Sequence, residues 1–506
     1  MKYRINTNQT FAAFFASVGA FGCGLGLAWT ATAFPDLDAS NQVGIITSVE
    51  KSWIASLLTI GAILGCPITG LLINNVGRKK CLVILSFIGL LGWLLLAVGT
   101  HVDYLYVGRL LTGISTGGYS IVIPVYVGEI ASKENRGLLG SLFLIMLCLG
   151  KLFSNIIGVF YSARTTSLVC SLHPLLYGIL LTALIPESPT FLMKKDKVKA
   201  ALRSQAWLEM DMGSIFYFWN LEIQESTKLS VTLAHIKSSI PKMEDNTLKV
   251  SWKECLTSWR LLKPCLSVFM LMVLAQFTGI NVTTFYTVDL FQQSGELLIN
   301  SKLATVILAA IQTVGCIPAS LFIDRYGRKV LLTSSFTAMT VALAGFSVFF
   351  YLKDVDQSSM ERYPWVGAMP LVFLVVYSLA YSWGIGNVIW VMMPEILPPQ
   401  IKGSASALAN IINWGGAFIV IEAFQLFASK IPIYIWFSGF TLVSVFGCIF
   451  TFFCVPETKG LSLEEIQAFY ENCKDNKSNA LTLKSKINEN HEEFLNSVQE
   501  EQIKKL

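Results

Sequence analysis

Hydrophobic residues in this chain run in long unbroken blocks and do not alternate with polar ones. Twelve blocks stand out, at roughly 11–34, 53–73, 81–100, 104–127, 138–160, 166–185, 265–290, 302–323, 330–351, 366–392, 403–428 and 432–455. Each is near the ~20 residues a helix needs to cross a hydrocarbon core. Backbone groups in lipid must be satisfied within the segment or in a closed barrel, and continuous apolar runs lack a barrel's period of two. The pattern predicts an all-α membrane protein with twelve transmembrane helices. One polar stretch, 186–263, divides six spans from six. The expected organisation is an N-terminal segment (1–10), a six-helix half (11–185), a loop with short helices (186–263), a second six-helix half (264–455) and a polar tail (456–506). In the tail a short helix is expected near 462–471, followed by disorder.

The two halves share a plan. "NNVGRKK" at 74–80 returns as "DRYGRKV" at 324–330, so that Arg78 recurs as Arg328 after 250 residues. "PVYVGEIASKENRG" at 124–137 has its echo in "MPEILPPQIKG" at 393–403, with Glu129 to Glu395 and Arg136 to Lys402 both 266 apart. "PESPT" at 186–190 returns as "PETKG" at 456–460, an offset of 270. Three phrases recur in order at matching span ends, which marks two pseudo-symmetric halves related by an axis along the membrane normal.

Composition agrees with the pattern and narrows it. Of 506 residues, 53% are hydrophobic and 14% charged, against about 25% charged in a soluble domain. The net charge of +5 matters less than its placement. Arg78, Lys79, Lys80, Arg136, Arg325, Arg328, Lys329 and Lys402 fall on one side of a twelve-span layout. Lys51, Arg109, Arg164 and Lys430 are among the few cations on the other. That bias puts both termini in the cytoplasm. Each basic cluster abuts a span, so nucleic acid is not an expected partner. Eleven cysteines, an odd number lying in spans or on the basic side, argue against a disulfide framework. The four histidines are scattered and suggest no metal site. "FGCGLG" at 21–26 reads as small-residue helix packing and not as a phosphate loop. No cofactor, no catalytic residue and no ATP drive is expected. Ala31-Thr32-Ala33 has the shape of a signal-peptidase site, but the preceding run is too long and more spans follow.

These phrases, with "QFTGIN" at 276–281 and the Trp390/Glu395 stretch, resemble the major facilitator superfamily, in its sugar-porter branch. Within the branch the chain is most similar to animal glucose facilitators and insect facilitated trehalose transporters. The resemblance implies facilitated diffusion of a hexose or trehalose by alternating access, in the plasma membrane, with sugar and lipid as partners and the oligomeric state open. It implies sugar contacts at Gln276, Asn281, Gln312, Trp390, Asn413 and Trp414, beside which Phe285 and Tyr286 follow in span 7. It implies ionic latches at the cytoplasmic span ends, in pairs Glu129–Arg136 and Glu395–Lys402 with Arg78 and Arg328. Asp324, Arg325 and Arg109 are added to this gating set.

Departures from the family pattern are specific. Asn74 stands where Asp is usual, which predicts a looser latch in the first half. Leu144 and Ala275 replace glutamines, and Thr190 replaces an arginine. "WGIGNVIW" at 383–390 keeps two glycines but has Ile385, Asn387 and Ile389 in place of prolines, so bending is expected at Gly384 and Gly386. Lys151 lies thirteen residues past Leu138, about 20 Å into the bilayer, and an ionisable residue there is a functional candidate by default. Lining the substrate pathway and pairing with Asp289 or Glu422 are both open readings of it. Span 1 carries no acid between 11 and 34; the nearest, Asp36 and Asp38, are expected in the outer loop. This favours uncoupled transport. A proton-coupled porter, possibly of an anionic solute, and a non-transporting sugar sensor remain as alternatives.

Overall fold

A computed structural model describes residues 7–40, 43–132, 135–209, 259–285, 301–355, 369–398, 401–427, 430–461 and 465–466. Sixteen helices lie among them. They are α1 (Thr7–Ser40), α2 (Ser48–Asn75), α3 (Arg78–Val98), α4 (Val102–Ile130), α5 (Arg136–Phe160), α6 (Ala163–Leu184), α7 (Pro189–Lys194) and α8 (Val198–Glu209). After these come α9 (Trp259–Phe277), α10 (Ile280–Phe285), α11 (Ser301–Tyr326), α12 (Arg328–Val355), α13 (Met369–Trp383), α14 (Ile385–Ile396), α15 (Lys402–Phe427) and α16 (Ile433–Cys454). Twelve spans are long and apolar enough to cross a membrane, α9 with α10 and α13 with α14 each making one. All twelve expected runs fall on them. The expected helix at 462–471 and residues Tyr286 and Asp289 lie wholly or mostly outside the described residues. The described residues up to Gly460 form one compact unit.

The repeat is visible in the packing. In the first half α2 packs on α4, α1 on α5 and α3 on α6; in the second, α11 on α13, α9 on α15 and α12 on α16. The halves meet through α2 against α15 and α5 against α11. Small residues set the closest approaches, as small-residue stripes do between membrane helices. A Cβ on Gly24 of "FGCGLG" would collide with the Leu147 carbonyl of α5.

One span end and one buried cation differ from expectation. Asp36 and Asp38 belong to the last turns of α1 and not to a loop. Asp36 Oδ2 accepts from Ala163 N at 2.7 Å, at the start of α6, and Asp38 pairs with Lys51 at 2.6 Å. Their carboxylates are held by neighbouring helix ends, so the helix runs on past the apolar block. Arg109 is not an exposed cation either. It is 0% exposed inside α4, where hydropathy counting cannot see that two backbone carbonyls accept from it.

Candidate functional site

At the basic end, each half builds the same cluster from the same phrases. Gly77 and Gly327 take φ of +99° and +92°, a region that side chains with a Cβ avoid. Each starts a helix, α3 or α12, whose first backbone N–H groups point at a glutamate. Arg78 N donates to Glu187 Oε1 at 2.9 Å and Lys79 N to Glu187 Oε2 at 3.1 Å. In the second half Arg328 N donates to Glu457 Oε1 at 2.9 Å and Lys329 N to Glu457 Oε2 at 3.1 Å. A carboxylate at a helix N-terminus is favoured by the orphan N–H groups and the dipole. The "PES" and "PET" phrases thus supply the acids, and their hydroxyls go to the next acid. Ser188 Oγ donates to Glu129 Oε2 at 2.5 Å and Thr458 Oγ1 to Glu395 Oε2 at 2.7 Å. Glu187 and Glu457 were not among the expected gating residues; only their repeat offset pointed to them.

The arginines complete the clusters unequally. Arg328 forks onto Glu395, Nη2 to Oε1 at 2.8 Å and Nε to Oε2 at 3.3 Å, and Nη1 reaches Asp324 Oδ1 at 3.0 Å. Arg78 holds Glu129 through Nη2 alone, at 2.6 Å, and its Nε is buried without a partner. Bidentate Arg–carboxylate pairs are the stronger and more directional form. Both acids are taken by Arg78 and Arg328, members of the same expected set, and the expected pair of Glu395 with Lys402 is corrected: the two form no direct ion pair among the described residues. Lys402 lies within electrostatic range of Glu129, Arg136 and Glu395 and makes no direct ion pair among the described residues. Arg325 is exposed and contributes its carbonyl, which accepts from Lys459 Nζ at 2.7 Å. Arg109 is not part of this end. It sits in α4 against α1 and α2, with its guanidinium over Trp29.

Across the halves at this end, Asp324 Oδ2 accepts from Leu138 N, in the first turn of α5, at 2.9 Å. At the opposite end Glu422 of α15 accepts from Ser52 Oγ at 3.1 Å and from Ser56 of α2. The halves are bridged at both ends.

Between the bridges lie the expected sugar-contacting residues, in two groups. The first is a relay of amides at the break between α9 and α10. Asn281 Nδ2 donates to Gln276 Oε1 at 2.5 Å, and Gln276 Nε2 donates to Asn413 Oδ1 of α15 at 2.6 Å. Gly279, with φ +86°, makes the break. The second is a small cavity, of about 30 Å³, that Lys151 and Gln312 line together, with Thr283 and Thr284 of α10. The aromatics stand at the seam between halves. Trp390 packs on Phe143 at 4.9 Å, and Trp414 Nε1 donates to Ser120 Oγ at 3.4 Å. Phe285 is half-buried at the end of α10. α13 gives way to α14 at Gly384, where a Cβ would collide with Ser335 and the Leu331 carbonyl of α12.

A family model described as sugar (and other) transporter matches residues 9–470. The facilitated trehalose transporter Tret1 of Apis mellifera ligustica is 33% identical over 464 residues, 91% of this chain and 88% of that protein. Tret1 of Bombyx mori is 33% identical over 459 residues, 91% and 86% of the two chains. Among solved structures, the major facilitator superfamily proton:xylose symporter XylE bound to 6-bromo-6-deoxy-D-glucose matches with a TM-score of 0.73. It is 21% identical and covers 92% of this chain and 100% of that one. The inward open XylE of E. coli matches with a TM-score of 0.67 at 22% identity, covering 91% and 99%. At such identities the structural likeness shows the fold alone.

Proposed function

Since this chain belongs to the sugar transporter family, we propose that its halves rock about the interior site to carry a hexose or trehalose down its gradient. It is a membrane sugar transporter, and in this reading no proton is coupled and no covalent bond is made or broken. The observation that carries the reading is the amide relay Asn281–Gln276–Asn413. Neutral amides buried between membrane helices are costly unless paired. Among the described residues they pair with each other, across a helix break, and sugar hydroxyls can exchange for those partners at little cost. That α1 has no acid between 11 and 34 supports uncoupled transport. Two relatives named as facilitated trehalose transporters support the choice of sugar. The basic end, and both termini with it, faces the cytoplasm, and the plasma membrane is the proposed site. The clusters of Arg78 and Arg328 lock that face while the cavity opens to the other side.

Uptake of radiolabelled glucose and trehalose into oocytes, at acidic and neutral pH, tests this. Saturable uptake that ignores pH and disappears in Asn281→Ala is expected. Uptake that rises with acidity would replace facilitation by proton coupling. If neither sugar entered, the neutral cargo would be wrong.

A further inference from the structure

The interior cavity is lined by a lysine that has no carboxylate partner among the described residues. Lys151 lies nine residues before Phe160, the end of α5, about 13 Å along the helix. Its side chain lines the cavity with Asn155, Thr283, Thr284, Gln312 and Ser378. Lys151 is the one ionisable side chain in that lining. Among the described residues no carboxylate comes within 4.0 Å of its ammonium. Glu422, one of two acids the sequence offered as partners, is occupied by the hydroxyls of Ser52 and Ser56. The other, Asp289, is outside the described residues.

A second observation on the same wall is independent of the first. Asn155 is 6% exposed; its Nδ2 donates to Thr305 O at 3.3 Å, and its Oδ1 has no partner. A buried acceptor without a donor is a standing cost. The cavity therefore presents an unanswered cation and an unanswered acceptor together, in a setting of hydroxyls and amides. A solute with an anionic group and hydroxyl donors satisfies both.

We propose that Lys151 is a carboxylate-binding subsite and that this transporter selects a sugar acid, a polyhydroxylated ring or chain bearing one carboxylate. The proposal rests on the transport cycle described above and changes the class of its cargo. When the halves close, water leaves the cavity, and an ammonium without a counter-ion becomes expensive there. A carboxylate neutralises it with one charge and accepts its N–H donors. A phosphate monoester brings nearly two negative charges at neutral pH and finds one cation in the described lining. A neutral sugar leaves the ammonium bare. The hydroxyls of the acid donate to Asn155 Oδ1 and to Gln312.

The test is uptake of radiolabelled glucuronate, glucose and trehalose into proteoliposomes holding the full chain, Lys151→Met or Lys151→Arg. Each variant is first checked for a cooperative melt in detergent. The expected result is saturable glucuronate uptake by the wild type, kept in Lys151→Arg. It should fall by roughly tenfold to a hundredfold in Lys151→Met. Equal glucuronate uptake by wild type and Lys151→Met overturns the subsite. So does neutral-sugar uptake by the wild type that excess glucuronate fails to inhibit. Both outcomes leave the transporter reading standing. Stronger inhibition by glucose 6-phosphate than by glucuronate overturns the choice of carboxylate. If well-folded wild type and variants carry none of the three sugars, the transport cycle itself is overturned and the subsite with it.

Discussion

Arg109 donates from Nε to the Ile54 carbonyl at 2.9 Å and from Nη1 to the Gly26 carbonyl at 2.7 Å. Its guanidinium lies 5.5 Å from the Trp29 ring. One side chain thus ties α4 to both α2 and α1. A lysine keeps the charge and loses the planar fork and the stacking surface. Arg109→Lys is therefore expected to lower stability by about 1.5–3 kcal/mol, the worth of one hydrogen bond from a charged donor, read as a lower melting temperature in detergent. An unchanged melt would mean that the fork does not tie the helices. This residue also marks a limit of sequence reading. A charge inside an apolar block is counted toward a membrane face, because the carbonyls that will accept from it carry no signature. Glu187 and Glu457 were overlooked for the same reason: their partners are backbone N–H groups. Gln276 and Asn281 stand out as amides in an apolar span, Asn413 was legible only through the family resemblance, and the fold joins all three.

At the scale of elements the two halves are copies with unequal contacts at the basic end. Asp324 caps the N-terminus of α5 across the halves. Asn74, its counterpart 250 residues earlier, stands in the matching place, its Nδ2 3.5 Å from where a Cβ on Gly403 would be, in the first turn of α15. Yet it donates back to Gly70 O of its own helix at 3.3 Å, and an amide adds no charge to the helix end. Asn74→Asp is expected to install the missing cap, worth about 0.3–1 kcal/mol for a carboxylate at a helix N-terminus. That would favour closure of the basic end and slow turnover by roughly twofold to fivefold. The rate of zero-trans uptake checks the direction, and a faster variant would show that this contact does not hold that end shut. The departure at Asn74 was readable from the repeat. What it faces was not, since the register of α2 against α15 is set by packing between halves.

The whole molecule was the most legible level, because lipid forces each span to satisfy its own backbone and a repeated phrase fixes where each half begins again. What no repeat could reveal is where the halves touch one another. One such contact gives a direct test of rocking. Cys148 on α5 and Cys316 on α11 are both buried, with their sulfurs 3.5 Å apart, across one of the two main seams between halves. A disulfide needs about 2.0 Å, a distance that a small side-chain movement closes. Copper phenanthroline is expected to join them. After cleavage at a protease site placed in the 186–263 loop, the halves should then run together on a non-reducing gel and separate on a reducing one. Cys148→Ser should abolish the link. If transport requires α5 and α11 to part, the joined protein will be silent and dithiothreitol will restore it. A cross-linked protein that carries sugar at the full rate would place the moving seam elsewhere, leaving α2 against α15 as the interface that must open.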